Sequence, residues 1–512
     1  MTLTKRILAT SLFAISTLSA LAGGIITNTN QSVAFLRNPA RDAAIGIDGV
    51  YSNPAGVAFM NNGFHFGLNW QAAWQKRIVE TTNPAFVNGI NNNGMTTKRY
   101  EGTATAPFIP SVQAAYNTSR WSFQFQFSVN GGGGKCEFPA GLGSFEGAVS
   151  QICGALKPFE AEMYNADYYM RGNQYYFGIT LGAAFKPIKN LSIYAGVRAL
   201  IGSASYKAQI ANIAVKTQQA TVPFGTFLDG TNAYITNTLA EIGENLPLVN
   251  AGIAQLEPVK DLPGYKEQYD KLVATKTALE GAKVQLEGAQ PQVRALDVYR
   301  NGVDLECKQK GFGIAPILGI DYKVGNFNFA AKYEFRTHMG MKNDSNLKEA
   351  MAIEAVNQFK DGETVREDTP AMLAVGAQWS IIPSVRVNLG YHHFFDKQAV
   401  KFADKQKLLS GGTNEYLGGI EYDPIKKLTI SGGVQVTRYG MTDEYMSDLS
   451  FVVNSWSFGV GAKYQFNDIV AINAAYFQTN YGHYKTAVSD AGVQNDFTRT
   501  NKTVGVSVEL NF

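Results

Sequence analysis

The sequence predicts an all-β fold, an antiparallel transmembrane β-barrel of about 14 strands with an N-terminal plug in the lumen and partly helical long extracellular loops. Three observations favour this fold. Apolar and polar residues alternate along many segments, short turns alternate with long loops, and the N-terminus resembles an export signal. The 512 residues contain no low-complexity linker, so we expect a single large unit.

The N-terminal stretch Met1–Ala22 has the features of a secretory signal peptide. Lys5 and Arg6 precede an apolar run, and the run ends in small residues suited to cleavage before Gly23. A membrane anchor is the alternative, but the run is short for a spanning helix. No later segment reaches the ~18 to 20 apolar residues of such a helix, so any crossing must use strands. We therefore expect a barrel in the bacterial outer membrane.

Residues 23–62 form the predicted plug, and residues 63–512 the predicted barrel. The plug has no sustained alternation, and its apolar bursts are broken by glycine, proline and two Asn-Pro-Ala triplets. We expect Asn53, Pro54 and Ala55 to hold the plug at the barrel wall. Pro54 fixes its own φ, and Asn53 can bond nearby backbone; an ordinary Asn-Pro turn is the alternative.

The barrel strands are predicted from alternation with a period of two. In Phe64–Trp74 and Trp121–Asn130, large apolar residues occupy one face and polar residues the other. The last strand ends on the aromatic Phe512. Such a terminal strand resembles the signal read by the barrel assembly machinery, which is a predicted partner during insertion. Besides the strands at Phe64–Trp74 and Trp121–Asn130, twelve strands are expected, the last of them ending on Phe512. They lie near 108–116, 168–185, 191–206, 311–322, 327–336, 370–379, 385–395, 414–422, 428–437, 456–466, 469–479 and 502–512.

The connections between these strands are alternately short and long. Long inserts are expected near 130–167, 209–310 and 338–369. Outer-membrane barrels sort their loops in this way, with tight periplasmic turns and long outer loops, whereas a soluble all-β protein has no reason to. Helical spacing predicts a pair of helices in the insert near 209–310, which includes Tyr265–Leu296. It also predicts a separate helix over Asn346–Lys360.

Composition and motifs argue against several other classes. The net charge of +3 does not suggest nucleic acid as a partner. None of the 5 histidines lies in a recognisable nucleophile motif, and no phosphate loop or Cys/His metal set is visible. We therefore expect no enzyme activity, no cofactor and no metal. Cys136 and Cys153 lie in one predicted loop, close enough for a possible disulfide, while Cys307 has no obvious mate.

The stretch Arg41–Gly56, with the sequence RDAAIGIDGVYSNPAG, carries a family resemblance. It is similar to the FadL-type family of outer-membrane transporters for long-chain fatty acids and related hydrophobic compounds. The resemblance implies a barrel closed by an N-terminal hatch. It also implies capture of ligand by outer loops and exit through a side opening where the third strand is kinked. The very long third loop departs from the family.

The predicted function is passive diffusion of long-chain fatty acids or similar hydrophobic compounds through a plugged, monomeric barrel with a lateral opening. An acyl chain loses about 0.8 kcal/mol per CH₂ exposed to water, so a dry route that ends in outer-membrane lipid suits it. One alternative is a structural or adhesive barrel whose loops contact a surface. Another is an enzyme at the barrel rim.

Two sets of residues are candidates for contact with the cargo. Alternation turns Arg198, Arg386 and Lys463 inward, where at least one is expected to face a carboxylate headgroup. The candidates for the lateral opening are Ser128, Asn130, Gly131 and Gly132, because regular pairing should weaken where the third strand enters the glycine run. A flexible start to an outer loop is the alternative there.

Overall fold

The structure is a computed structural model that describes residue 27 and residues 31–347 and 354–512. The predicted signal peptide, residues 1–22, lies outside the described residues, as do 23–26 and 28–30 of the predicted plug. Among the described helices, none has the length and apolar character needed to cross a membrane.

The wall is a closed antiparallel barrel of 14 strands. Closure is made by the first and last strands, which pair continuously from His65 opposite Asn511 to Thr82 opposite Gln494. The predicted fold class is therefore confirmed for the wall. The strands are β1 Gly63–Thr82, β2 Thr97–Asn117, β3 Trp121–Phe138, β4 Met163–Ile188, β5 Leu191–Lys216, β6 Val303–Val324, β7 Phe327–Glu334, β8 Met372–Ile382, β9 Val385–Phe394, β10 Thr413–Ile425, β11 Leu428–Arg438, β12 Ser455–Gln465, β13 Val470–Tyr481 and β14 Gln494–Asn511.

The outer face of the wall is an apolar belt. On β6, Phe312 and Ile314 are 59% and 52% exposed, whereas the alternate residues Ala315 and Ile317 are buried. Large apolar side chains on an outward face are stabilised by bilayer hydrocarbon and not by water. The belt and the closed wall identify an outer-membrane type of barrel, as the sequence predicts.

Turns and long loops lie at opposite ends of the barrel. Short turns join β2 to β3, β4 to β5, β6 to β7, β8 to β9, β10 to β11 and β12 to β13. At the other end, β2 to β6 continue beyond their predicted limits, because neighbouring strands stay paired above the belt; β4 and β5 pair as far as Met163 opposite Lys216. Four short strands extend the wall: Thr221–Pro223, Gly340–Asn346, Thr364–Arg366 and Tyr484–Lys485.

Helices occupy the long connections. Helix α3 spans Gly143–Ala155, and α4, Phe224–Leu256, packs against α5, Lys266–Ala295. The pair α4 and α5 confirms the predicted helical pair. The second predicted helix falls partly on residues 348–353, outside the described residues, and Glu354–Phe359 forms one short 3₁₀ segment.

The N-terminal segment contains two short helices, α1 Val33–Arg37 and α2 Gly49–Ser52. Ser32 begins α1 by accepting a hydrogen bond from the Ala34 amide at 3.0 Å. Helix α1 contacts β1, β11, β12, β13 and β14, whereas α2 contacts β2 and β3. The segment is thus bordered by strands from both sides of the barrel.

Candidate functional site

An ion cluster binds the N-terminal segment to the wall at β10. Glu421 Oε1 lies 2.9 Å from Arg37 Nη1 and 2.9 Å from Arg41 Nη1, and its Oε2 lies 3.2 Å from Arg386 Nε. Arg41 also forms a two-pronged pair with Asp48, at 2.8 and 3.0 Å. Three guanidinium groups therefore converge on one buried carboxylate, which lowers the cost of burying all of them.

A second contact involves a histidine and a close backbone approach. His392 on β9 lies between Asp42 of the segment and Glu415 of β10, with both nitrogen–oxygen distances 2.9 Å. On β12, a Cβ added at Gly459 would lie 2.0 Å from the carbonyl oxygen of Leu36. Only glycine permits this approach, so wall and segment are fitted to each other.

The Asn-Pro-Ala motif lies against β3 and β6, on the opposite side of the segment. Asn53 Nδ2 donates to Asp321 Oδ2 at 2.5 Å, and Gln124 Nε2 donates to the Pro54 carbonyl at 2.7 Å. Ala55 is buried. The motif thus contacts the wall at β3 and β6, while its role in transport stays a prediction.

The ladder between β2 and β3 is interrupted. It runs from the short turn to Val112, which is opposite Phe127, and resumes only at Thr105, which is opposite Lys135. Between these points the two strands form no ladder. We call the residues left unpaired on this seam, 106–111 and 128–134, the β2–β3 gap.

The local sequence explains the gap. Pro107 and Pro110 lack the N–H that a ladder requires, and Trp70 Nε1 donates to the Pro107 carbonyl at 3.2 Å. On the β3 side, Gly132 has φ of +92°, and a Cβ there would meet the Gln174 carbonyl oxygen at 2.0 Å. Both strands therefore depart from regular pairing for reasons in their own residues.

All four candidates for the lateral opening lie in the gap. Pairing is intact along 122–127 and fails from Ser128, at the end of the predicted stretch. The glycine run is part of β3, which continues to Phe138, so the expected start of a loop there is wrong. Extended backbone persists because β4 still pairs with Gly131, Gly132 and Gly133.

The inner face of the gap presents buried amides. Ser128 Oγ donates to Asn130 Oδ1 at 3.0 Å. Among the described residues, Asn130 Nδ2 and both amide atoms of Gln126 have no hydrogen-bond partner. Unpaired buried amides are costly, so these side chains leave this part of the lumen incompletely satisfied.

An apolar cluster lies on the outer side of the gap. It includes Tyr100 of β2 and Phe138 of β3, which are further from the short turns than the gap residues. Phe145 of α3 and Leu228 of α4 join it from the outer loops. The gap thus separates an apolar outer region from the N-terminal segment.

Comparisons with known proteins bear on this architecture. No model of a protein family matches the sequence, and no curated protein matches it. Among solved structures, a Pseudomonas aeruginosa FadL homologue aligns with a TM-score of 0.59 at 12% identity, covering 96% of this chain and 100% of its own. The chain has the FadL-type fold.

Two further structures agree with that fold. A deltaS2S3 mutant of TodX, a monoaromatic hydrocarbon channel, has a TM-score of 0.53 at 13% identity and covers 94% of this chain and 99% of its own. The Pseudomonas putida toluene transporter TodX has a TM-score of 0.50 at 13% identity, with 91% and 94% covered. At such identities the likeness concerns the fold alone.

In this FadL-type barrel the three headgroup candidates point inward as predicted, but none is a free cation. Each is bound to a carboxylate: Arg198 to Glu334, Arg386 to Asp423 at 2.6 Å, and Lys463 to Glu509 at 2.5 Å. A ligand carboxylate would have to displace one of these partners. Their proposed contact with cargo stays a prediction.

The cysteines differ from expectation. Cys136 and Cys153 do not share a loop, because β3 extends through Cys136 and α3 carries Cys153. Cys136, Cys153 and Cys307 are all free and buried in the structure, so the possible disulfide is not formed there. Burial raises the pKa of the Cys153 thiol to about 11, which keeps it protonated and unreactive.

Several functional residues escaped the sequence analysis. The binding of Arg37 and Arg41 by Glu421 depends on contacts across 384 and 380 positions of chain. Pro107 and Pro110 could have been found, because prolines inside an alternating segment mark irregular pairing.

Proposed function

We propose that this FadL-type barrel carries long-chain fatty acids or similar hydrophobic compounds across the outer membrane by passive diffusion, without catalysis. The observation that carries the proposal is the β2–β3 gap, which interrupts the wall beside the N-terminal segment. In the proposal, the segment blocks a straight path through the lumen, and cargo leaves sideways into lipid.

A route for a hydrophobic cargo must keep the cargo out of water. Each CH₂ of an acyl chain exposed to water costs about 0.8 kcal/mol, so an open aqueous channel is a poor route. The buried cluster around Tyr100 and Phe138 makes the outer side of the gap apolar. Phe108, at the gap itself, is 69% exposed on the wall and would meet lipid directly.

The similar structures support a hydrophobic cargo and leave its class open. One is a FadL homologue, and another is a channel for monoaromatic hydrocarbons. The proposal therefore names hydrophobicity, and not a carboxylate, as the property that the route selects. Fatty acids come first because the lumen also holds the cations Arg198, Arg386 and Lys463, each of which could exchange partners.

The test is a cross-link over the gap. Ser111 and Ser128 are the first residues past the last paired position, so Ser111→Cys with Ser128→Cys can join the two strands there. With the bond closed, uptake of labelled oleate by a strain lacking its own transporter should fall at least about tenfold, and reduction should restore it. Mass spectrometry confirms bond closure.

The control is a cross-link over an intact seam. Ser457 and Thr479 are directly opposite on β12 and β13 and share a hydrogen bond of 2.9 Å, so the corresponding cysteine pair should leave uptake unchanged. Full uptake with the gap demonstrably bridged rules out the lateral route. Absence of any hydrophobic uptake by the wild-type chain favours the structural or adhesive alternative.

A further inference from the structure

Two lysines of like charge face each other at the outer rim of the wall. Lys310 of β6 is directly opposite Lys342 of the short strand Gly340–Asn346, and both side chains are exposed. We call them the rim lysine pair. Like charges at directly opposed positions of an antiparallel sheet repel, so this arrangement calls for an anion.

The neighbouring acidic residues of the ladder lie opposite other lysines. Asp344 is opposite Lys308, and Glu306 is opposite Lys207. In the part of the chain that the structure describes, no carboxylate lies within ion-pair distance of either member of the rim lysine pair. Among the described residues, the positive charge of this pair therefore has no ion-pair partner.

Asp368, which follows the short strand Thr364–Arg366, is engaged with other cations. It is buried and accepts Arg366 Nη2 at 2.8 Å, while Arg336 Nε lies 3.7 Å away and His338 Nδ1 3.5 Å away. Two arginines already share this one carboxylate. It cannot neutralise the rim lysine pair as well.

A similar position on another part of the rim shows the contrast. Lys76 of β1 also follows the apolar belt, but its ammonium lies 2.6 Å from Glu101 of β2. Towards the outer end of the barrel, Lys76 is the next outward-facing residue beyond Trp74, and Lys310 is the next beyond Phe312. Both aromatic side chains are exposed. The two lysines thus lie at comparable depth, and of the two only Lys76 has a counter-ion among the residues that the structure describes.

The depth of the pair indicates which anion it meets. Lys310 follows Phe312 and Ile314 towards the end of the barrel that bears the long loops, which in this class is the outer end. Ammonium groups just beyond the hydrocarbon belt lie at the level of lipid headgroups. A phosphate there can accept hydrogen bonds from both lysines and cancel their repulsion.

We propose that Lys310 and Lys342 together bind a phosphate group of an outer-leaflet lipid. The site is separate from the lumen and does not depend on the proposed transport function. Its ligand is a phosphorylated lipid headgroup whose acyl chains lie along the belt below Phe312. The binding fixes this part of the wall to the surrounding leaflet.

The experiment measures lipid retained by the full-length barrel. The protein is placed in phosphatidylcholine nanodiscs containing lipid A or dephosphorylated lipid A, and native mass spectrometry counts the lipid that survives mild detergent exchange. Wild type should retain lipid A. Lys310→Gln with Lys342→Gln should weaken retention about tenfold or more, since each lysine near a charged surface contributes about 1 kcal/mol.

The controls test whether lipid A retention depends on the rim lysine pair and on the lipid phosphate. Lys76→Gln should retain lipid A as wild type does, and gel mobility before and after heating shows that each variant is folded. Equal retention by the double variant, or equal retention of the dephosphorylated lipid, overturns the proposal. Displacement of lipid A by millimolar inorganic phosphate overturns it too, because it would show a site for free phosphate.

Discussion

The N-terminal segment is bound differently on its two sides. Towards β9, β10 and β12, buried charges hold it, with Arg37 and Arg41 on Glu421 and Asp42 on His392. Towards β2 and β3, single neutral donors hold it: Asn117 Nδ2 donates to the Val57 carbonyl at 2.8 Å, and Gln124 Nε2 to the Pro54 carbonyl at 2.7 Å.

The difference indicates which side of the N-terminal segment is released more easily from the wall. A neutral hydrogen bond contributes about 0.5 to 1.5 kcal/mol net, whereas breaking a buried ion pair costs about 3 to 5 kcal/mol. The weakly bound side is the side with the β2–β3 gap. We therefore expect movement of the segment to begin there, with the ion cluster acting as the fixed end.

The largest effect is expected from Glu421→Gln. The change leaves Arg37, Arg41 and Arg386 buried without their shared counter-charge, and should weaken docking of the segment by about 3 to 5 kcal/mol. Single-channel currents in planar bilayers should rise, and proteases should cut the segment faster. Glu101→Gln, at an exposed pair, is the control, and currents like those of wild type in both would contradict the fixed end.

A steric change tests the same side without altering charge. In Gly459→Ala the new Cβ would lie 2.0 Å from the Leu36 carbonyl, and a backbone oxygen cannot rotate away, so docking should lose up to about 3 kcal/mol. Protease protection of the segment measures the loss. Gly432→Ala is the matched control, since its Cβ would have no neighbour closer than 3.5 Å. Equal protection in both variants would show that the fit at Gly459 is not tight.

Substitution in the Asn-Pro-Ala motif, on the side of the β2–β3 gap, should change transport clearly and barrel assembly little. Asn53→Ala with Pro54→Ala removes the donor to Asp321, a hydrogen bond to a charged group that contributes about 1.5 to 3 kcal/mol. We expect oleate uptake to change while the heat-modifiable mobility of the barrel is retained. Unchanged uptake would remove the motif from the transport mechanism.

The smallest expected effect is a pH dependence in the docking of the loop that connects β9 and β10. Lys405, in the connection between β9 and β10, is buried with its ammonium 5.2 Å from the centre of the Tyr445 ring, and burial lowers its pKa to about 8. Between about pH 8 and 10.5 the unfolded loop binds more protons than the docked loop, so docking should strengthen as pH rises through that window.

Hydrogen exchange of residues 402–409 at pH 7.5 and 9.5, corrected for intrinsic rates, measures that change. Lys405→Met removes the titrating group and should abolish the difference between the two pH values. A Lys405→Met loop that keeps the full pH dependence would assign the effect to another group.

The barrel wall follows from local sequence patterns. Period-two alternation, as in Phe64–Trp74, is a local property that decides which face meets lipid, and the parity of the loops decides the strand count and orientation. The helical pair α4 and α5 was likewise readable, since helical spacing needs no distant partner. Inward placement of Arg198, Arg386 and Lys463 followed from the same alternation.

Which inward groups contact one another depends on the whole fold. Strand ends above the belt depend on neighbours, which is why β3 runs through Gly131 to Phe138 where the residues alone suggested a loop. The ion cluster joins Arg37 of the N-terminal segment to Glu421 of the wall, 384 positions away in the chain, and the β2–β3 gap needs prolines on one strand to face glycines on the next. Closure of the barrel sets these pairings, because it fixes the register between strands far apart in sequence.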